Sequence, residues 1–373
     1  MPVKGTDKTI WDLKNADFDY KAPLDGTNIS VNYDTEWLEG NRLNDVFIKN
    51  VSQALKTGEP GFSFNFYDKE TETLRNACTE VTSSDDSDVC NLGSLNLSRI
   101  ASLSDFKDTV HLATVFLLCG TLRADLPYEK VYRVREKNRR LGLGLMGLHE
   151  WLIQRGMKYE VTPELHQWLS VYKETSDTVS KAFAKQFSVS TPVANRSIAP
   201  TGTIGIIAGT TTGIEPVYAV AYKRRYITGQ GTQSRKYQYA IDSAAKELIE
   251  LYGTDPDTIE SAIDLAKDPE RRICFQADVQ DYVDMAISST INLPSYGSRR
   301  NTSDDVLPFA TTLAKYADRL RGFTCYPDGA RGGQPLTSVR YSEAHNRLGI
   351  EYDESEGEMN DVCEITGGGY CGL

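Results

Sequence analysis

The sequence predicts a predominantly parallel α/β fold, on three observations. Helical periodicity alternates with short apolar runs along the chain, no internal repeat interrupts that alternation, and 373 residues at 40% hydrophobic content can bury a sizeable core. "TNISVNY" (27–33) opens the alternation as a strand, and "DVFIKNVSQALKTG" (45–58) follows as a helix stopped by glycine. "FSFNF" (62–66) and "VCNLGSLNL" (89–97) are the next strands. Apolar spacing predicts helices over 105–122 and 162–187, then a strand at "GIIAG" (205–209). The stretch 255–287 reads as two helices, and "SSTINLP" (288–294) and "GFTCYP" (322–327) close the series as strands.

The formal net charge of −11 works against broad nucleic-acid binding, which needs a clustered cationic footprint. Lys223, Arg224 and Arg225 form a short basic patch, read as a solvated loop. The longest apolar run, "LATVFLLCG" (112–120), is far below the roughly 20 residues that span a bilayer, and the first residues lack the basic-then-apolar order of a signal peptide. A cytoplasmic protein without membrane partners is expected. Its seven cysteines are odd in number and irregular in spacing, in a chain too large to need disulfide staples. They are therefore expected as thiols, with Cys119, Cys274 and Cys325 in the core.

"GLGLMG" (142–147) matches G-x-G-x-x-G, but the charged "VREKNRR" precedes it where a dinucleotide fold needs a strand. Close glycine packing is the better reading. His111, His149, His166 and His345 lie far apart and no metal spacing is present, so no metal site is expected. The small-residue stretch "SIAPTGTIGIIAGTTTGIEP" (197–216) could cradle an anion on backbone amides, although it lacks the lysine of a P-loop. Asn76, Cys78 and Glu80 alternate by two, which in extended chain puts an amide, a thiol and a carboxylate on one face. Cys90, with Cys363 and Cys371 beyond an acidic, glycine-rich stretch, adds the dithiol pattern of redox exchange.

These stretches together resemble the large catalytic chain of ribonucleotide reductase. "NACTE" is similar to that family's Asn-x-Cys-x-Glu finger loop, "CNLGSLNL" to its redox-cysteine strand, "APTGTIGIIAGTTTGIEP" to its substrate-phosphate loop, and "NISVNYDTEWL" to an earlier strand and helix of its barrel. The resemblance implies a ten-stranded α/β barrel with the finger loop, near 76–90, threaded through its centre. It implies that Cys78 becomes a thiyl radical that takes the ribose 3′ hydrogen, that Glu80 accepts the 3′-hydroxyl proton, and that Asn76 orients the sugar. Cys90 would be half of the dithiol that reduces the 2′ position. Pro200, Thr201, Gly202, Thr203 and Ile204 would hold the substrate phosphates, and Cys363 and Cys371 would re-reduce the active site.

The short separation of Cys78 and Cys90 and the run "GFTCYPDGARGGQPL" resemble the adenosylcobalamin-dependent class II enzymes, in which the cofactor supplies the radical. A metal-dependent class I chain would carry an adjacent Tyr-Tyr pair, whereas Tyr237 and Tyr239 are separated by Gln238. No cysteine precedes Cys78, and the first residues resemble the interior of the barrel. The expectation is therefore a C-terminal barrel portion (1–340) whose first strands come from a separate N-terminal chain, followed by a mobile redox tail (341–373). The remaining expected partners are a ribonucleotide, a deoxynucleotide or ATP effector, and a thioredoxin-like reductant; residues 15–28 fall where the family's specificity loop lies, with no individual effector ligand assigned to them.

Overall fold

The computed structural model describes residues 2–3, 28–228, 234–328 and 336–353. Residues 15–28 lie outside these save for Asn28, and Cys363 and Cys371 lie outside them as well. Thirteen strands are formed among the described residues: β1 (Pro2–Val3), β2 (Ser30–Tyr33), β3 (Gly61–Phe64), β4 (Leu74–Arg75), β5 (Thr82–Ser83), β6 (Asn91–Asn96), β7 (Leu141–Met146), β8 (Ala221–Thr228), β9 (Ser234–Ile241), β10 (Thr290–Leu293), β11 (Gly322–Pro327), β12 (Leu336–Ser338) and β13 (Glu351–Asp353).

Seven strands and the segment 196–198 make one wall, the sheets β1-β2-β3-β11-β10 and β6-β7 being joined through that segment by isolated bridges. β1, β2 and β3 run parallel. β3 meets β11 antiparallel, Gly322 opposite Ser63 and Phe323 opposite Phe62. β11 is parallel to β10, and just before β10 Ile287 bridges Ile198. Arg196 in turn bridges Leu143 of β7, which is parallel to β6 over its whole length. Two parallel groups thus join at the single antiparallel seam β3·β11. β1 and β6 end the wall, each paired on one side only among the described residues.

Helices cover the outside as parallel strands require. Asp45–Thr57 starts on Asn44, whose side chain accepts from Phe47 N–H, and stops at left-handed Gly58. It packs with helix Val306–Tyr316 on an aromatic core of Tyr33, Trp37, Phe47, Phe62, Phe64 and Phe323. A second core joins Leu103–Arg123, Pro163–Phe187 and β7, with Phe106 stacked on Trp168 at 5.0 Å. All six residues of β7 are buried, whereas β6 is only half-buried and Leu92 is 44% exposed.

Several expectations change. Residues 205–209 are not a strand but the back of a seven-residue helix, Gly202–Ala208. Left-handed Thr201 and Gly209 bracket it, and Ile206 and Ile207 project outward instead of entering a sheet. Lys223–Arg225 lie on β8 rather than in a loop. Cys119 is exposed, because it shares the outer stripe of Leu103–Arg123 with Leu112 and Phe116. Cys274 is half-buried beside Asp278, and Cys325 is buried in the aromatic core. Residues 341–353, expected as tail, form helix Tyr341–Asn346 and strand β13. β13 pairs with β9, where Tyr352 stacks on Tyr237 and packs against Tyr239, so this acidic stretch is held by aromatic contact. Among the described residues no helix is long and apolar enough to cross a membrane.

Candidate active site

β4 and β5 pair antiparallel, Leu74 with Ser83 and Arg75 with Thr82, and carry residues 76–81 between them. The alternation expected there is replaced by a turn: Thr79 N–H donates to the Asn76 carbonyl at 3.1 Å and Thr79 takes φ 69°. The turn separates the three polar side chains in exposure. Cys78 is exposed, whereas Glu80 is only 2% exposed. Asn76 Oδ1 accepts from Val81 N–H at 3.1 Å, which closes the turn.

The loop reaches the opposite wall through Glu80. Its carbonyl accepts from Ala286 N–H at 2.9 Å and from Ser197 Oγ at 2.8 Å, the two strand segments being those that bridge in the wall. Its carboxylate Oε2 is buried with no hydrogen-bond partner among the described residues. Such an acceptor is costly unless something absent from the chain satisfies it. Burial and the Glu80 charge both raise the Cys78 thiol above its ordinary range.

Cys90 stands just before β6 against Gly142 of β7. A Cβ on Gly142 would come within 2.9 Å of Cys90 Sγ and 2.4 Å of Leu92 Cδ2, so this glycine makes room for the thiol. Burial pushes Cys90 up to about 12, with Arg140 pulling it back and Asp88 and Glu80 opposing Arg140. Arg140 is fixed by Asp88 at 2.9 Å. Charge from Glu80 is thus felt by both Cys78 and Cys90. Glycines of "GLGLMG" serve close packing: Gly144 lies against the Ser197 carbonyl, and left-handed Gly147 against Asn96 and Thr210.

Of the expected phosphate residues, Gly202, Thr203 and Ile204 are exposed at the first turn of their helix, where backbone N–H groups have no intrahelical acceptor. Pro200 is half-buried. Thr201 is buried and its Oγ1 accepts from Gly213 N–H at 2.7 Å, so it staples the loop. Behind it Thr210 donates to Glu150, whose carboxyl is raised by burial, and to Asn96 at the end of β6.

Sequence reasoning missed the polar cluster under the loop. Arg75 Nη2 donates to Ser63 Oγ (2.9 Å), Asn65 Oδ1 (3.0 Å) and the Arg321 carbonyl (2.7 Å), while Nη1 reaches the Thr79 carbonyl at 3.3 Å. Arg321 Nη2 pairs with Glu72 at 2.9 Å, and Thr82 Oγ1 also donates to that carboxylate. Burial raises the Glu72 carboxyl, but Arg321 outweighs this and the net effect is to lower it. Isolated arginines carry no periodic signal, so only their convergence reveals the cluster. His149 is fully buried, accepts from Val217 N–H through Nδ1, and is lowered to about 3 by burial. Among the described residues no group of side chains could hold a metal ion.

The family model for the ribonucleotide reductase barrel domain matches residues 41–172 and 193–312. A vitamin B12-dependent ribonucleoside-diphosphate reductase of Mycobacterium tuberculosis (strain CDC 1551 / Oshkosh) is 30% identical over 289 residues, covering 67% of this chain and 41% of that protein. One from Thermoplasma acidophilum is 26% identical over 335 residues, covering 77% and 43%. A crystal structure of a B12-dependent (class II) ribonucleotide reductase superposes with TM-score 0.72 at 15% identity, covering 93% of this chain and 53% of that one. The chain thus spans about two fifths of the length of these curated relatives.

Proposed function

From the premise that the chain belongs to the ribonucleotide reductase family through its barrel domain, we propose that it is the catalytic portion of an adenosylcobalamin-dependent reductase of ribonucleotides. The observation that carries the reading is the Glu80 carboxylate oxygen Oε2, buried without a partner among the described residues, on the same turn as the exposed Cys78. A substrate hydroxyl is the kind of donor that oxygen lacks.

In the proposed reaction Cys78, as a thiyl, takes the hydrogen atom from ribose C3′, and Glu80 takes the 3′-hydroxyl proton. Asn76, with its carbonyl oxygen engaged by Val81, keeps its amide N–H groups for the sugar. The 2′-hydroxyl leaves as water with a proton from a dithiol to which Cys90 contributes one sulfur. The dithiol then gives a hydrogen atom to C2′ and an electron to the sugar, closing to a disulfide, as Glu80 returns its proton to the 3′-oxygen. Return of the hydrogen from Cys78 to C3′ completes the deoxynucleotide and restores the thiyl. The raised Cys90 value suits this role, because a protonated thiol carries the needed hydrogen. Phosphates would rest on the exposed amides of Gly202, Thr203 and Ile204, with Pro200 and Thr201 shaping the turn. Adenosylcobalamin, when bound, supplies the one-electron oxidising equivalent; the exposed Cys78 fits such a group as the thiol reachable from outside the chain.

The rest of the proposal concerns partners. The one-sided pairing of β1 and β6 among the described residues supports a separate N-terminal chain that would bring the second active-site cysteine and close the barrel. Cys363 and Cys371 would return electrons from a thioredoxin-like reductant, and a deoxynucleotide or ATP effector would act across the completed assembly, in the cytoplasm.

Deoxynucleotide formation is measured with adenosylcobalamin and dithiothreitol, for the chain with and without the N-terminal chain. Turnover is expected only in the mixture and is lost in Cys78→Ser and Glu80→Gln. Multiple turnovers by the chain alone would overturn the split arrangement, and full activity in Cys78→Ser would overturn the chemistry.

A further inference from the structure

We infer that Arg75 is a positioning residue that clamps the Cys78 turn to the antiparallel seam of the wall and so fixes where the reacting thiol stands. The inference rests on the reading of Cys78 as that thiol, but the clamp is observable without turnover.

One guanidinium makes every contact needed. Its Nη2 reaches Ser63 and Asn65 at the end of β3 and the carbonyl of Arg321 at the entrance to β11. Those are the two strands at which the parallel groups meet. Its Nη1 crosses the turn to the carbonyl of Thr79, the residue between Cys78 and Glu80. The far side of the turn is already tied down, the Glu80 carbonyl resting on Ala286 and Ser197. Cys78 therefore stands between the Thr79 and Glu80 anchors on one flank and, on the other, the Asn28 side chain, whose Nδ2 donates to the Ala77 carbonyl at 2.7 Å. Without Arg75 the turn loses its tie to the seam at Thr79 and keeps the Glu80 and Ala77 contacts and the short β4·β5 pairing of two residues a side.

The cluster is not built as a structural ion pair for Arg75. The carboxylate beside it, Glu72, is hydrogen-bonded to Arg321 and Thr82, and Arg75 and Arg321 are like charges in one buried site. A buried cation costs desolvation and repulsion that a neutral side chain would avoid. A guanidinium alone presents a planar fork long enough to span both strands and the turn; lysine, with a point-like ammonium, covers fewer of the four acceptors. Replacing Arg75 leaves Glu72 with Arg321, so no carboxylate is stranded and the fold is expected to survive.

The test compares wild type with Arg75→Met and Arg75→Lys in the full chain. Amide hydrogen exchange over 76–81 and the pH profile of Cys78 alkylation by iodoacetamide, followed by peptide mass spectrometry, are read beside thermal unfolding. In Arg75→Met, exchange over the turn should rise at least tenfold. The Cys78 profile should move toward the ordinary thiol range, because a loosened thiol escapes both burial and Glu80, the two causes that raise it. Alkylation at pH 7.5 should then quicken threefold or more, with Arg75→Lys intermediate. In the complete reductase kcat should fall tenfold or more while KM stays within twofold. A fall in melting temperature with unchanged Cys78 profile and turn exchange would make Arg75 merely structural and overturn the clamp. Retained turnover in Cys78→Ser would instead overturn the assignment of the reacting thiol, with the exchange result still deciding the clamp.

Discussion

Cysteine by cysteine, environment sets reactivity. Cys119 is exposed on a helix surface, Cys78 is exposed but raised by burial and Glu80, and Cys90 and Cys325 are each pushed up to about 12 by burial. Of these four, alkylation at pH 7.5 should label the exposed Cys119 and Cys78 first, with Cys90 and Cys325 at least tenfold slower. Quantitative mass spectrometry of iodoacetamide-treated chain reads the order, and early labelling of Cys90 would contradict the burial. His149 gives a pH dependence. Its folded value is lowered by burial to about 3, so its contribution to stability is complete above pH 6.5 and declines as pH falls toward 3. Between pH 7 and 5 the loss is about 2 kcal/mol. His149→Gln, whose amide oxygen can still accept from Val217, should flatten that part of the urea-unfolding profile; an unchanged slope would show that the imidazole charges freely in the fold.

At the level of elements, the helix Leu103–Arg123 has two unlike faces. Phe106, Val110, Leu117 and Leu118 are buried against β6, β7 and Pro163–Phe187, whereas Leu112 and Phe116 are 68% and 77% exposed. Phe106→Ala should cost about 3–5 kcal/mol in urea unfolding, the range for a large core truncation. Phe116→Ala should stay within about 0.5 kcal/mol in the isolated chain. Equal effects would mean that the outer stripe is covered. In β7, Gly142→Ala places a methyl against Leu92 and Cys90, so β6 must shift or Cys90 turn away. The expected outcome is reductase activity lowered at least tenfold in the complete assembly, with Cys78 alkylation unaffected.

For the whole molecule, two parallel groups joined at one antiparallel seam, with a hairpin crossing from that seam to the far wall, account for how distant residues share a site. Five of the thirteen described strands and the longest helices were legible in the sequence because their periodicity is local: β2, β3, β6, β10 and β11 lie where apolar, β-rich runs occur, and Gly58 stops its helix as read. The fully buried β7 and the β8·β9 pair were not read as strands. Motif order likewise brought Asn76, Cys78, Glu80 and Cys90 forward as chemistry. The misreadings have a common cause. "GIIAG" has a strand's composition, yet left-handed Thr201 and Gly209 and a Thr201–Gly213 hydrogen bond make it a short exposed helix. Cys119 sits in an apolar run whose outer stripe nothing described covers, and acidic 351–353 becomes a strand because Tyr352 finds Tyr237 and Tyr239 on β9.

The sequence by itself determined which residue types could do radical and dithiol chemistry, the place of five strands and the longest helices, and the family resemblance those motifs carry. Only the tertiary structure decided that the Cys78 segment is a turn rather than extended chain, that one Glu80 oxygen is buried without a protein partner, that Gly142 makes room for Cys90, and that Arg75 and Arg321 meet beneath the loop. Local patterning encodes which face of an element is apolar. Burial, left-handed backbone and converging hydrogen bonds depend on residues as far apart in sequence as Arg75 and Arg321, which only the packing of the hairpin against the wall brings together.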